Sequence, residues 1–318
     1  MLSNKKKSEN SSHKQSVFDW WNSDNTKKWH TTKYEKDNIE YLHVIDRLDR
    51  ALEYIKQFKP EKNCKILEFG FGGGQSSHKI LELGYNYTGV EISKHMISSA
   101  EEKCSKYIKD KKAFFFHGSL DEVNEELTNN TYDVVLICGA LQYTDDINFA
   151  ISEIHKLLKK DGVFIICQAN MFAIHEFIGF RKFLKTIVRY ITNEDFFYSY
   201  SNSFKSILLE TNLKKYFRKF ENSKFMNSKF MTKYEEKWDY KINKRLFSSK
   251  KLSNHLVKNS FKIINKTGAP FFLYHNNKII NYLLGISNKI LLFSVKYLRL
   301  NFLTKTADNI IIVSKKNV

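Results

Sequence analysis

Short apolar runs alternate with segments of helical periodicity between residues 61 and 169. Most runs are followed by a segment whose apolar residues recur three or four positions apart. The runs lie at 65–69, 87–91, 113–117, 133–138 and 163–167. Because strands that alternate with helices usually pair in parallel, this rhythm predicts a doubly wound sheet with helices on both faces.

The same rhythm returns near the end of the chain. Residues 260–265 and 307–314 are candidate sixth and seventh strands, so residues 260–318 complete the predicted sheet. Between them, residues 278–303 carry apolar side chains at alternating spacings of four and three, which predicts a helix with one continuous apolar stripe. We expect this stripe to cover the sheet. The alternative is a helix in a membrane interface, with its basic residues near the headgroups.

The remaining segments predict additions to this sheet. Residues 1–16 contain clustered lysines with no apolar run behind them, which predicts a disordered tail. Residues 17–60 predict a helical cap, whose main helix runs from Asn38 to Phe58 and ends before Pro60. Residues 170–259 are rich in Phe, Tyr and Lys and almost lack Gly and Pro, which predicts a helical lid insertion.

The chain is strongly basic, with a formal net charge of +18. Such a charge is found in proteins that bind nucleic acids or anionic membranes. However, only seven of the 52 basic residues are Arg, the side chain best suited to planar phosphate recognition. An AT-rich genome also produces an excess of Lys. We therefore interpret the charge mainly as composition, and we do not expect nucleic acid as a partner.

The cysteines and the apolar runs indicate the compartment. Cys64, Cys104, Cys138 and Cys167 show no C-x-x-C spacing, so neither a zinc site nor a disulfide framework is predicted. The sequence has no run of 18 apolar residues, so no transmembrane helix is predicted, and because no apolar region follows the first lysines we expect no secretory signal. We expect a cytoplasmic protein whose contact with a membrane, where it occurs, is peripheral and on the inner face.

The strongest chemical signal is the turn Glu68-Phe69-Gly70-Phe71-Gly72-Gly73-Gly74, between the first predicted strand and a helix. Its glycines permit a tight turn and let the backbone approach a ligand lying over the strand ends. A dinucleotide fingerprint requires G-x-G-x-x-G/A, but counting from Gly70 its last position is Gln75. The acidic-x-Gly-x-Gly-x-Gly spacing is complete. An acid before the glycines attracts a ligand ammonium group and repels a pyrophosphate.

With this motif the chain resembles the class I S-adenosylmethionine-dependent methyltransferases. A second acid, Glu91, ends the second strand 23 positions after Glu68, where an acid binds ribose hydroxyls. The resemblance implies a Rossmann-like seven-stranded sheet, with S-adenosylmethionine as the cofactor. The cofactor-binding residues that it implies are Glu68, Gly70, Gly72, Gly74, Glu91, Ile92, Met96, Ser119, Leu120, Gly139 and Gln142.

The resemblance also implies which part of the cofactor each group contacts. Glu68 and the glycines hold the methionine part, and Glu91 binds the ribose. Met96 lies near the adenine, which residues 119–120 flank. Ser119 stands where the family commonly has Asp, so this contact departs from the family pattern. Residues 139–142 close the floor near the sulfonium.

The loop after the fourth strand narrows the range of possible methyl acceptors. Enzymes that methylate amide or exocyclic amino nitrogens resemble one another in an Asn/Asp-Pro-Pro-aromatic loop, but this chain has residues 138–143 as Cys-Gly-Ala-Leu-Gln-Tyr. Cytosine C5 enzymes use a cysteine after proline, and no such pair occurs here. The remaining resemblance is to small-molecule and lipid-linked methyltransferases, such as those of quinone biosynthesis and polysaccharide gene clusters. Members of that branch often carry an Arg-bearing helix before the glycine motif, matched here by Arg47 and Arg50.

This resemblance implies methyl transfer to an oxygen, less often a carbon, of a small or carrier-linked acceptor. Two alternatives stay open. One is an RNA methyltransferase that grips its substrate with the basic segment 214–251, and the other is a non-catalytic relative that serves as a binding module. A hydroxyl acceptor also needs a general base from outside the cofactor half. The candidates, which the sequence does not rank, are His30, Tyr34, His175, Glu176, Tyr198 and Tyr200.

Overall fold

The computed structural model describes residues 14–24, 26, 39–122, 125–173, 197–199, 243–245, 247–271, 278–298 and 301–317. Its strands are β1 (Lys65–Phe69), β2 (Asn86–Glu91), β3 (Ala113–His117), β4 (Tyr132–Cys138), β5 (Leu158–Ala169), β6 (Phe197–Ser199), β7 (Asn243–Arg245), β8 (Phe261–Gly268) and β9 (Asn309–Lys316). Its helices are α1 (residues 14–21), α2 (Ile39–Phe58), α3 (Gln75–Glu82), α4 (Lys94–Lys103), α5 (Ser105–Lys109), α6 (Ile147–Leu157), α7 (Ser249–Lys258) and α8 (Lys278–Tyr297). Short 3₁₀ helices cover Leu141–Tyr143 and Asn301–Thr306.

Seven of these strands form one sheet in the order β3-β2-β1-β4-β5-β9-β8. Strands β1 to β5 pair in parallel, and β9 pairs antiparallel with both β5 and β8. The five parallel strands therefore end at the same edge of the sheet. The strand order reverses between β1 and β4, which is where open sheets of this kind form a ligand crevice. The predicted seven-stranded Rossmann-like sheet is confirmed.

The core has two halves because successive residues of a strand point to opposite faces of the sheet. Ile66 and Val134 pack in the half that also contains residues of α2, α3 and α4. The next residues along, Leu67 and Val135, pack in the half that contains residues of α6 and α7. All four side chains are fully buried. Burial on both faces is the reason that these strands are continuous apolar runs in the sequence.

Two elements depart from a simple alternation of one strand and one helix. The helical segment after β2 is broken at Cys104, whose φ of −102° and ψ of 14° are not helical, so α4 and α5 are separate. Residues 160–162, a Lys-Asp-Gly sequence typical of a turn, lie within β5. Pairing with β4 steps from Leu158 to Val163, and Asp161 between them has a left-handed φ of 62°. The turn residues bulge out, after which the strand continues.

The insertion predicted as helical over 170–259 also contains strands. β6 and β7 pair antiparallel with each other, so the helical prediction is wrong for these two segments. Helix α7 lies in the same range, and it buries Leu252 and Leu256 in the core. Most of the insertion lies outside the described residues.

Helix α8 has the opposite orientation to the one expected. It ends at Tyr297, and its apolar stripe does not face the sheet, because Ile290 is 59% and Phe293 is 55% exposed. The other side of the helix is buried, through Asn288 and Val295. Among the described residues, no helix combines the length and the apolar character that crossing a membrane requires.

Candidate functional site

A cleft opens at the carboxyl edge of the sheet, over the ends of β1, β2 and β4. This is the position that open parallel sheets offer to ligands. Its walls come from the glycine turn after β1, the end of β2, the loops after β3 and β4, and helices α1, α2 and α4. The lining residues are Lys14, Val17, Trp21, Arg47, Phe69, Gly70, Phe71, Gly72, Val90, Glu91, Ile92, Met96, Gly118, Ser119, Leu120, Asp121, Cys138, Gly139, Ala140, Gln142, Tyr143 and Thr144.

The glycine turn brings two strand ends into contact. Gly70 has a φ of 73°, in the left-handed region, and its N–H donates to the carbonyl of Val90 at 2.8 Å. A Cβ added to Gly70 would lie only 2.5 Å from the Cβ of Ala140. The turn after β1 and the loop after β4 can therefore approach this closely only because residue 70 has no side chain. This approach fixes the floor of the cleft.

The backbone holds the Glu91 carboxylate at the end of β2. Its Oε2 accepts from the N–H of Gly72 at 3.0 Å, and its Oε1 accepts from the N–H groups of Ile92 at 2.9 Å and Ser93 at 3.1 Å. Burial raises the pKa of this carboxyl above its ordinary 4.5, while the three backbone donors act in the opposite direction. A carboxylate has about four acceptor positions, so Glu91 can still accept a hydrogen bond from a ligand hydroxyl.

The loop after β3 and helix α4 form the wall beyond Glu91. Met96 is 1% exposed and lines the cleft from α4, opposite Ser119 and Leu120. Asp121 lies beside them, and its Oδ1 accepts from the N–H of Asp145 at 2.8 Å. Burial raises the pKa of the Asp121 carboxyl to about 6. An apolar thioether together with polar groups suits a flat, hydrogen-bonding ring.

Helices α1 and α2 close the cleft from outside the sheet. The Trp21 ring packs edge-on against Tyr143, with ring centroids 5.6 Å apart, and the Trp21 carbonyl accepts from the Ser93 hydroxyl at 2.8 Å. Arg47 of α2 faces Gly139, where an added Cβ would lie 3.2 Å from its Nη1. These two helices thus place an indole, a phenol and a guanidinium around the β4 end of the cleft.

Nine of the eleven residues that the resemblance implied line this cleft, and they come from all its sheet-side walls. They are Gly70, Gly72, Glu91, Ile92, Met96, Ser119, Leu120, Gly139 and Gln142. The sequence did not identify Trp21, Asp121 or Tyr143, and it placed Lys14 in a tail. In the structure, residues 14–21 are helical and Lys14 forms an ion pair with Glu122. The aromatic character of residues 17–34 was the available signal, and it does not indicate which ring faces the ligand.

Glu68 and Gly74 do not line the cleft. Glu68 is 1% exposed and lies below the turn, where its Oε2 accepts from the Tyr87 hydroxyl at 2.8 Å. Burial raises the pKa of the Glu68 carboxyl from 4.5 to about 7. Gly74 precedes α3 with a φ of 85°, and a Cβ there would lie 2.7 Å from the Cα of Ala100 on α4. Its role in this geometry is to let two helices approach.

We expect the variant Gly74→Ala to lose about 2 kcal/mol or more of unfolding free energy, because it adds a steric clash with α4 to the cost of a left-handed alanine. Gly84→Ala is the matched control. Its φ is 91°, but its nearest neighbour is a flexible Lys62 side chain at 3.5 Å, so only about 1 kcal/mol should be lost. Urea unfolding measures both. Equal losses of unfolding free energy in the two variants would show that the contact with α4 is not the reason that position 74 requires glycine.

The six candidate bases cannot be placed in the cleft. Tyr198 lies in β6, but its side chain, like the other five residues, is outside the described part of the chain. The titratable side chains that do line the cleft include Asp121 and Tyr143. Within the described ranges, no group of three His, Cys, Asp or Glu side chains is arranged to hold a metal ion.

Comparison with known proteins agrees with this geometry. Residues 67–164 match the family model described as "Methyltransferase domain". The ubiquinone biosynthesis O-methyltransferase of Pelagibacter ubique is 28% identical over 152 residues, which are 48% of this chain and 60% of that protein. The malonyl-[acyl-carrier protein] O-methyltransferase of Buchnera aphidicola is 24% identical over 140 residues, or 44% and 53% of the two chains. The chain thus spans little more than half the length of these curated relatives.

A solved structure extends the likeness beyond the matched segment. The SAM-dependent methyltransferase from Methanosarcina mazei superposes with a TM-score of 0.51 at 14% identity, and the superposition covers 83% of this chain and 97% of that chain. At this identity the likeness shows the fold alone.

Proposed function

Because this chain belongs to the class I S-adenosylmethionine-dependent methyltransferases, we propose that it transfers the cofactor's methyl group to an oxygen of a small-molecule or carrier-linked acceptor. The observation that carries the proposal is the buried Glu91 carboxylate, which three backbone N–H groups hold in place at the end of β2. Glu91 lies beside the glycine turn, the position at which an acidic residue binds the ribose hydroxyls of a nucleotide cofactor. Methyl transfer to a carbon acceptor is the less favoured form of the same proposal.

The cleft residues fit the cofactor in a second respect. Gln142 is 9% exposed and lines the cleft, and its buried Oε1 has no hydrogen-bond partner among the described residues. A buried acceptor without a donor is costly, so its partner is expected to be a ligand group. The cofactor carries donor groups at its amine, ribose and adenine, and Gln142 stands on the loop implied to close the floor near the sulfonium.

Transfer from a sulfonium depends mainly on alignment and exclusion of water, because the methyl group is already activated. Trp21, Tyr143 and Arg47 enclose the β4 end of the cleft and can exclude water there. Oxygen is the acceptor atom in the names of both relatives described above.

All four cysteines are free thiols, which supports the proposed location in the cytoplasm.

The test begins with calorimetric titration of the full chain. We expect S-adenosylmethionine and S-adenosylhomocysteine to bind and NADH not to bind. Radiolabelled S-adenosylmethionine is then offered with phenols and with malonyl-acyl-carrier protein as acceptors. Label recovered in an ether or ester is the expected result. Failure of both sulfur nucleosides to bind would overturn the proposal.

The two rivals give different results in the same assays. A non-catalytic relative binds S-adenosylhomocysteine but labels no acceptor of any class. An RNA methyltransferase labels RNA and binds it with an affinity that falls steeply as salt rises, because phosphate contacts release counterions.

A further inference from the structure

Helix α8, Leu298 and the 3₁₀ helix after them expose large apolar side chains. Six of these side chains are between 38% and 62% exposed, although residues of this kind are normally buried. Scattered apolar residues on a surface are ordinary, but a contiguous stripe marks an interaction site. We name this surface the α8 stripe, formed by Leu283, Ile286, Ile290, Phe293, Leu298 and Phe302.

The stripe faces outward because the opposite side of the helix is fixed to the fold. Asn288 is 1% exposed, and its Oδ1 accepts from the backbone N–H of Phe271 at 2.9 Å. Val295 packs in a small buried cluster with Phe271 and Ala307. The helix therefore cannot rotate its stripe inward without removing a buried polar side chain from its partner.

The charge of the residues around the stripe indicates which kind of partner binds there. Residues 278–306 include five basic residues and no acidic one, and Lys289 and Lys305 are exposed. A second copy of the chain would bring two such basic surfaces together. The basic insertion 214–251 would be repelled in the same way. An anionic lipid surface is complementary, since it accepts apolar side chains between its acyl chains and attracts lysine at its headgroups.

The stripe is also close in the fold to the edge of the sheet where the cleft opens. The 3₁₀ helix leads through Ala307 directly into β9, which begins at Asn309. The Oδ1 of Asn309 lies 3.5 Å from Nη1 of Arg47, a residue that lines the cleft. A lipid surface at the stripe would therefore lie on the side of the molecule from which a lipid-linked acceptor enters.

We propose that the α8 stripe docks the protein on an anionic membrane surface and so presents a lipid-linked acceptor to the cleft. The docking step itself does not depend on methyl transfer, but the choice of acceptor rests on the function proposed above. It refines that function, because it selects the lipid-linked class among small and carrier-linked acceptors.

The experiment is flotation of the full chain with vesicles. We expect binding to vesicles of phosphatidylcholine mixed equally with phosphatidylglycerol, and weaker binding to phosphatidylcholine alone. The double variant Ile290→Asn/Phe293→Ser should lower the partition coefficient for mixed vesicles at least about tenfold, because two large apolar side chains leave the interface. The matched control Val257→Asn/Phe114→Ser changes residues that are 62% and 50% exposed elsewhere, and it should bind like the wild type.

Three results would overturn the proposal: no flotation of the wild type, flotation of the double variant at the wild-type level, or an equal loss in the control. A wild-type dimer that the double variant converts to a monomer, without vesicle binding, would assign the stripe to self-association instead. Calorimetry with S-adenosylhomocysteine separates the two proposals. Intact cofactor binding without flotation would reject docking alone, and flotation without cofactor binding would reject the proposed function alone.

Discussion

The variant Glu91→Ala is expected to lower the affinity for S-adenosylhomocysteine at least about tenfold. The lost interaction is the hydrogen bond that a ribose hydroxyl donates to the carboxylate, and a bond to a charged group contributes about 1.5–3 kcal/mol. The backbone also loses an acceptor, because Gly72, Ile92 and Ser93 all donate to this side chain. The glycine turn should therefore become less ordered in the variant, which weakens binding further.

Calorimetry measures this loss, and two further variants show its cause. Glu91→Gln keeps one acceptor oxygen without the charge, so its affinity should fall between the wild type and Glu91→Ala. Glu102→Ala removes an exposed carboxyl from α4 and should change nothing. Melting of the free protein shows whether the fold survives. If Glu91→Ala is well folded and binds the nucleoside like the wild type, the Glu91 carboxylate does not contact the cofactor.

The sequence predicted most of the cleft because three local signals coincide with the geometry of a parallel sheet. Gly70 follows directly after the first apolar run, Gly72 lies two residues further on, and Glu91 ends the second run. The ends of parallel strands meet at one edge, so residues at the ends of different strands become neighbours once the strands are placed. Residues 119 and 139 could be included for the same reason, since each follows its own strand.

The sequence could not reveal which way a side chain points at a strand end. Glu68 lies two residues before Gly70 and within the β1 strand, so its direction follows the pleat and leads to Tyr87. Gly74 lies one residue before α3, and its need for glycine arises from Ala100 on another helix. Trp21 reaches the cleft through a contact with Ser93, more than 70 residues away, and no local pattern encodes such a contact.

The α8 stripe illustrates a related limit of periodicity. Apolar residues at spacings of three and four show that a helix has an apolar side, but they do not show what covers it. Here the side that packs on the fold contains Asn288, a polar residue whose burial is supported by the hydrogen bond that the Phe271 N–H donates to it. Composition alone would place that residue outside and the stripe inside.

Raising the pH from 4 to 8 should cost the wild type about 3 kcal/mol of unfolding free energy through Glu68. Its pKa rises from 4.5 in the unfolded chain to about 7 in the fold, mainly because burial disfavours the charged form. The folded state therefore binds more protons than the unfolded state between these two values. Stability is full below 4.5 and falls as the pH rises through 7, by about 1.4 kcal/mol for each unit of pKa difference.

The variant Glu68→Gln isolates this contribution. Glutamine keeps an oxygen that can accept from the Tyr87 hydroxyl, and it cannot ionise. We expect it to match the wild type at pH 4 and to be more stable by about 3 kcal/mol at pH 8, measured by urea unfolding. Glu102→Gln, at an exposed position, should follow the wild type at both pH values. If Glu68→Gln is instead the less stable protein at pH 8, the carboxylate must be ionised and paired in the fold. That result would show that burial does not raise the pKa of Glu68 in the fold.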